Sequence, residues 1–215
     1  AATSDVLASH VSFADRFYRL WGLFIDRRFG IGRWAPILLA VLPLLPLLVR
    51  GGLIPRVVLA LVGVQLAMAT FVAVTMMGWW FPGRMLIVVY PLFPLVLAFG
   101  AIRFGPKLQM GGALAGLYSA LVTFEVVRAE SRGDLTVAFD PFTLASPLFS
   151  RLGPFFPQYT SWTTETNLLN AAWVAAGVIA LAFVCRAEFL QSRTVRAART
   201  RRTSSPLATA PQEST

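Results

Sequence analysis

Five apolar runs, separated by short joints that carry most of the charges, dominate the pattern of this chain. The runs cover residues 34–49, 57–77, 85–102, 108–127 and 168–184. The second run has no charged residue and, as an α-helix, would reach about 31 Å, which is enough to cross the hydrocarbon core of a bilayer. Prolines fall inside the first and third runs and predict kinks there. The pattern predicts an all-α fold, a polytopic transmembrane helical bundle with about five spans.

A different periodicity precedes the first run. Between Ser12 and Ile25, aromatic and leucine residues recur every three or four positions, whereas Asp15, Arg16 and Arg19 fall on the opposite side. This spacing predicts an amphipathic helix that lies flat in the membrane interface with its charged side towards water. A helix packed on a soluble core is the alternative.

Composition supports a bilayer as the solvent of this chain. Of its 215 residues, 56% are hydrophobic and 13% are charged, whereas soluble domains have about 25% charged residues. The net charge of +9 raises nucleic acid as a partner, but six of the 19 basic residues follow Cys185 and most others flank apolar runs. We therefore expect membrane lipids as partners and no nucleic acid. One cysteine and one histidine, with no nucleotide-binding motif, predict no metal site and no cofactor.

The basic residues also predict the topology. If the arginine-rich tail is cytoplasmic, so are the joints at 50–56 and 103–107, while the joint at 78–84 lies outside. The chain then divides into five parts: an outer interfacial segment 1–33, four spans within 34–128, an extracytoplasmic loop 129–167, a last span 168–185 and a basic, disordered tail 186–215. The loop is too rich in aromatic residues for a disordered linker, so we expect it to fold against the membrane surface or a neighbouring domain.

Two stretches on the predicted outer face carry the candidate chemistry, and because both lead into a span from that face they can meet. Arg84 stands at the start of a span, with no acid in its own joint, and can bind a lipid phosphate through two parallel hydrogen bonds. The alternative is an anchor that extends to the headgroups, with Trp80 as part of an aromatic belt. Asp26 can serve as an acid, or with Arg27 as a phosphate clamp; paired surface charges in a turn are the alternative.

Two further features lie in the fourth run. Glu125 precedes Arg128 by three residues, which predicts an ion pair on one helix face. A stripe of small residues predicts close packing against another helix; its members are Gly111, Gly112, Ala115, Gly116 and Ser119.

Both outer stretches resemble segments of one family. Gly22-Leu-Phe-Ile-Asp26-Arg27-Arg28-Phe-Gly30, before Arg33-Trp34-Ala-Pro36, is similar to a segment of bacterial GT-C type polytopic glycosyltransferases. Trp79-Trp80-Phe-Pro-Gly83-Arg84, before Pro91-Leu-Phe-Pro94, resembles a later motif of the same proteins, in which an arginine precedes a proline-broken span. The likeness covers residues 20–100 well and residues 129–184 loosely.

The resemblance implies transfer of a sugar from a polyprenyl-phosphate carrier at the outer face of the bacterial inner membrane. The catalytic carboxylate of such enzymes lies in a first outer loop that nothing in this chain matches. We therefore expect a C-terminal half that is inactive alone and holds part of the carrier-lipid site, with Arg84, beside Trp80, as the candidate for its phosphate. The alternative is a non-enzymatic integral membrane subunit that packs against other membrane subunits.

Overall fold

The computed structural model describes residues 16–72, 83–133, 146–159 and 162–203, and within these ranges every regular element is helical. The α-helices are α1 (Tyr18–Ile25), α2 (Ile31–Trp34), α3 (Val41–Val49), α4 (Leu53–Ala67), α5 (Phe93–Arg103), α6 (Pro106–Ser131), α7 (Pro147–Leu152) and α8 (Thr164–Thr203). Shorter 3-10 segments cover Pro36–Ala40, Arg84–Leu92 and Gly153–Phe155, and a π segment covers Met68–Val72. The predicted all-α class is confirmed.

Four helical stretches in the described part of the chain are long and apolar enough to cross a bilayer, as expected of an integral membrane protein. They are Leu53–Val72, Arg84–Arg103, Leu108–Ser131 and Thr164–Phe189. The remaining predicted run forms a shorter apolar helix, Pro36–Val49. Trp34 belongs instead to α2, because Pro36 disfavours the helical conformation of the preceding residue and Ala35 has φ −139° and ψ 83°.

The short helix α3 occupies the centre of the bundle. It packs against α4, α5 and α8, and it buries Val41, Leu44, Leu47 and Leu48. A Cβ on Gly100 of α5 would lie 2.7 Å from a methyl carbon of Leu44, so glycine permits the close approach of the two helices. A helix that is apolar all round is suited to this central position.

The long helices α6 and α8 lie at the periphery and bury few residues of their apolar stretches. In the small-residue stripe of α6, Gly116 faces Ile37 and the hydroxyl of Ser119 accepts a hydrogen bond from the Ile37 N–H. A Cβ on Gly111 or Gly112 would meet no atom of the described residues within 4 Å. Among the described residues, only one end of the predicted packing stripe therefore contacts another element.

One end of the bundle is closed by an ionic cluster of Arg50, Arg103 and Glu188. Arg103 Nη1 lies 2.6 Å from Glu188 Oε2, and Arg50 Nη1 lies 4.0 Å from Glu188 Oε1. These contacts confirm that the joints after the first and third runs lie at the same end of the molecule as the start of the tail.

Two sequence predictions about the chain ends are wrong in part. Residues 186–203, placed in the disordered tail, continue α8 as helix; alanine, arginine and leucine favour helix, and extending a helix avoids a new nucleation step. Residues 204–215 lie outside the described part.

The amphipathic pattern of the first helix predicts that Arg19 faces water, but Arg19 is only 7% exposed. It is buried because α1 packs against the Met68–Val72 segment and the bundle. The Ser12 start of this helix lies outside the described residues.

Candidate functional site

Asp26 organises the turn between α1 and α2. Its side chain is 1% exposed. Oδ1 accepts hydrogen bonds from the backbone N–H of Arg28 at 2.8 Å and of Phe29 at 2.7 Å, and Oδ2 accepts one from the N–H of Tyr159 at 3.1 Å. The prediction of paired surface charges at this turn is wrong, because the carboxylate is buried and its two oxygens hold main-chain donors.

The electrostatics of this turn follow from its burial. Burial raises the pKa of Asp26 above 3.8, while the three backbone donors and Arg28 oppose that shift. Burial, together with the neighbouring charge of Arg27, lowers the pKa of Arg33 to about 10. Arg33 therefore remains protonated at neutral pH. Burial likewise raises the pKa of Tyr159, so its phenol is a neutral hydrogen-bond donor.

Arg27 connects the turn to the segment before α8. Its backbone N–H donates to the carbonyl of Pro157 at 2.7 Å, and its Nε donates to the carbonyl of Phe156 at 2.8 Å. Its Nη2 also lies 3.0 Å from Oε1 of Glu165, an exposed partner. Arg27 is thus a structural link between two loops, with one guanidinium nitrogen at the surface.

Arg33 is the most buried cation of the site, at 4% exposure. From the sequence it is recognised only as part of a motif. Its Nη1 donates to the carbonyl of Arg27 at 2.9 Å, and Nε and Nη2 both donate to the carbonyl of Phe149 at 3.3 Å. The guanidinium carbon lies 3.6 Å from the centroid of the Phe149 ring, which adds a cation–π contact.

The two outer stretches contact each other at Gly83, as the sequence predicts. The Gly83 N–H donates to the carbonyl of Phe29 at 3.3 Å. Gly83 has φ +76°, and a Cβ there would lie 1.5 Å from Oη of Tyr90 and 2.3 Å from Cγ2 of Ile31. Only glycine fits this position. The contact places the next residue, Arg84, half-buried beside the Asp26 turn. Trp80 lies outside the described residues.

Sequence reasoning missed Asn170, which joins the site from α8. Its Oδ1 accepts hydrogen bonds from Nε1 of Trp21 at 2.8 Å and from Oη of Tyr159 at 2.6 Å. An amide inside an apolar run is the signal that indicates such a contact, since polar side chains at membrane depth need partners.

The partner of Glu125 differs from the one that the sequence predicts. Glu125 accepts a hydrogen bond from the Ser146 hydroxyl, whereas the sequence spacing predicts an ion pair with Arg128.

Among the described residues, basic side chains outnumber acidic ones at this end of the bundle. Six described arginines lie just before α1, in α1, in the Asp26 turn, in α2 and at the start of the third span, where the described acids are Asp26 and Glu165; they are Arg16, Arg19, Arg27, Arg28, Arg33 and Arg84. No group of three or more histidine, cysteine or acidic residues within the described ranges is placed to hold a metal ion. The arrangement suits an anion at the membrane boundary.

Comparison with known proteins gave no match to a protein-family model, to a curated protein or to a solved structure. Function is therefore argued from the site itself, and the resemblance to GT-C glycosyltransferases stays a prediction.

Proposed function

We propose that this integral membrane protein binds the phosphate of a lipid at the arginine-rich end of its bundle. The lipid class is a polyprenyl phosphate, and the chain forms the membrane portion of a glycosyltransferase that acts at the outer face. The observation that carries the proposal is the Gly83–Phe29 hydrogen bond, which seats Arg84 beside the Asp26 turn.

The charge balance supports an anionic ligand. The carboxylate of Asp26 is occupied by three backbone donors, and Glu165 pairs with Arg27. Among the described residues of this end, basic side chains therefore outnumber acidic ones, which favours an anionic ligand. Gly83 fixes the backbone before Arg84 in the left-handed region, which holds the start of this span in one conformation. From this backbone position, the guanidinium of Arg84 can offer phosphate two parallel hydrogen bonds.

The test compares wild type, Arg84→Lys and Arg84→Ala for binding of polyprenyl phosphate by the purified protein in nanodiscs. We expect Arg84→Lys to weaken binding about tenfold, because lysine keeps the charge but loses the two-pronged contact. Arg84→Ala is expected to weaken it further.

The matched control is Arg56→Ala. Arg56 is an exposed arginine at the opposite end of the bundle, where it donates to the carbonyl of Val49. This variant is expected to bind as wild type does. Equal binding by wild type and both Arg84 variants would remove the phosphate site and leave Arg84 as an interfacial anchor.

A second candidate, a non-enzymatic subunit of a larger membrane complex, is favoured by the exposed flanks of α6 and α8. Leu114 and Phe124 on α6 and Ile179 on α8 are all exposed. If another subunit covers α6, Gly112→Leu should reduce co-purification of that subunit, whereas Arg84→Ala should not. The opposite pattern favours the lipid-phosphate function.

A further inference from the structure

We infer that the segment Ser146–Tyr159, which contains α7, is a re-entrant element that lies below the membrane surface and contacts lipid acyl chains through Phe155. This inference is independent of the phosphate site, because it concerns neither Arg84 nor the chemistry of the headgroup. It rests on the depth of the segment along two spanning helices and on the way its carbonyl groups are satisfied.

Helix α8 gives the first measure of depth. Nε1 of Trp173 donates to the carbonyl of Phe155 at 2.6 Å, and Glu188, paired with Arg103, marks the charged end of the same helix. The fifteen helical steps from Trp173 to Glu188 correspond to about 22 Å along the helix axis. The hydrocarbon core is about 30 Å thick. The backbone of Trp173 then lies about 8 Å inside the opposite boundary, and tilting α8 would place it deeper. Phe155 contacts the side chain of this residue.

Helix α6 gives a second, separate measure. Oη of Tyr118 donates to the carbonyl of Leu148 at 2.7 Å. Tyr118 lies twelve residues, about 18 Å, beyond Pro106, which begins α6 just after the charged end at Arg103. This length of about 18 Å is shorter than the thickness of the hydrocarbon core, so Leu148 also lies within the apolar layer. Both spans therefore place the middle of the segment within the apolar layer.

Five carbonyl groups of the segment accept hydrogen bonds from other parts of the protein, four of them from side chains. Tyr118 donates to Leu148, Arg33 to Phe149, Trp173 to Phe155 and Arg27 to Phe156, while the backbone N–H of Arg27 donates to Pro157. A loop in water needs no such provision, because water satisfies the ends of its helices. Non-helical backbone at membrane depth is tolerated only where protein supplies the missing partners.

The backbone N–H groups at the start of α7 are also provided for by the protein itself. Oγ of Ser146 accepts a hydrogen bond from the Phe149 N–H at 3.1 Å, and Pro147 at the first position has no N–H to satisfy. The exposed surface of the segment includes Phe155, which is 64% exposed. The exposed cation is Arg151, whose long side chain can extend from this shallow depth to the headgroups.

The test is nitroxide accessibility in phosphatidylcholine vesicles, with single cysteines placed in the full chain after Cys185→Ala. The test positions are Phe155→Cys and Ser150→Cys, both at exposed sites on the segment. The references are Val178→Cys, at a 60% exposed site in the middle of α8, and Thr164→Cys at the exposed start of α8. Each label is measured for collisions with oxygen, which partitions into lipid, and with a water-soluble nickel chelate.

We expect the label at Phe155 to collide more with oxygen than with nickel, as at Val178, and the label at Thr164 to show the reverse. The label at Ser150 should fall between these references. A nickel-accessible Phe155 label would overturn the inference and make the segment a surface loop. A Phe155 label shielded from both reagents would also overturn it, because protein and not lipid would then cover the segment.

Discussion

At one end of the bundle, Asp26, Arg27 and Arg33 hold a turn through main-chain N–H and carbonyl groups, whereas at the other end Arg50, Arg103 and Glu188 meet through side chains alone. Main-chain contacts fix the path of the chain, so their loss frees a whole segment. Contacts between charged side chains join helices that are already formed, so their loss removes a link and leaves the helices intact. The two ends should therefore differ in their sensitivity to mutation.

The largest effect is expected from Asp26→Ala. This change leaves the N–H groups of Arg28, Phe29 and Tyr159 without their acceptor and removes one of the links between the turn and the Ser146–Tyr159 segment. We expect the free energy of unfolding to fall by about 3–5 kcal/mol. Thermal unfolding in detergent, followed by tryptophan fluorescence, measures it, with Glu165→Ala as the exposed control. A loss no greater than that of the control would show that the turn is held by other contacts.

The next largest effect is expected from Gly83→Ala. The new Cβ meets Tyr90 and Ile31, and alanine resists φ +76°, at a cost of roughly 2–4 kcal/mol. The double variant Gly83→Ala, Tyr90→Phe removes the nearest atom and should recover part of the loss, which the same unfolding measurement detects. Gly111→Ala, at a position with no described neighbour within 4 Å, is the control. Equal stability of the two glycine variants would argue against the contact between the two outer stretches.

A smaller effect is expected at the other end, from Glu188→Gln. The change removes one charge from the contacts with Arg103 and Arg50 while the helices remain in place. We expect a loss of about 1–2 kcal/mol, which added salt reduces in the wild type more than in the variant. Unfolding at low and high salt measures both quantities. A loss as large as that of Asp26→Ala would remove the contrast between the two ends.

The sequence predicts the spans better than the site, and the reason is physical. A run such as 108–127 is apolar along most of its length, so a membrane solvent favours a helix there, and the structure extends it only to Pro106–Ser131. The extra length arises because helix formers continue past the apolar residues.

The site depends on contacts between distant residues, which no local pattern contains. Asp26 reads as a surface charge because two arginines follow it, but its burial depends on Tyr159, which lies 133 positions away in the chain. The prediction that Arg19 faces water is wrong for the same reason, because α1 packs against the distant Met68–Val72 segment. The meeting of the two outer stretches was predictable, because topology alone places the ends of alternate spans together.

The last prediction concerns the pH dependence of stability and is tested with Asp26→Asn. Burial raises the pKa of Asp26 above 3.8, so across the interval above 3.8 the folded protein binds more protons at this site than the unfolded chain does. The contribution of this group to stability is therefore fully present below pH 3.8 and is lost as pH rises through the folded-state pKa. The three backbone donors and Arg28 oppose the upward shift of the Asp26 pKa but do not cancel it. Wild type should lose more stability than Asp26→Asn between acid and neutral pH, measured as the difference in unfolding temperature. A steeper loss in the variant would mean that hydrogen bonding to the carboxylate outweighs its burial.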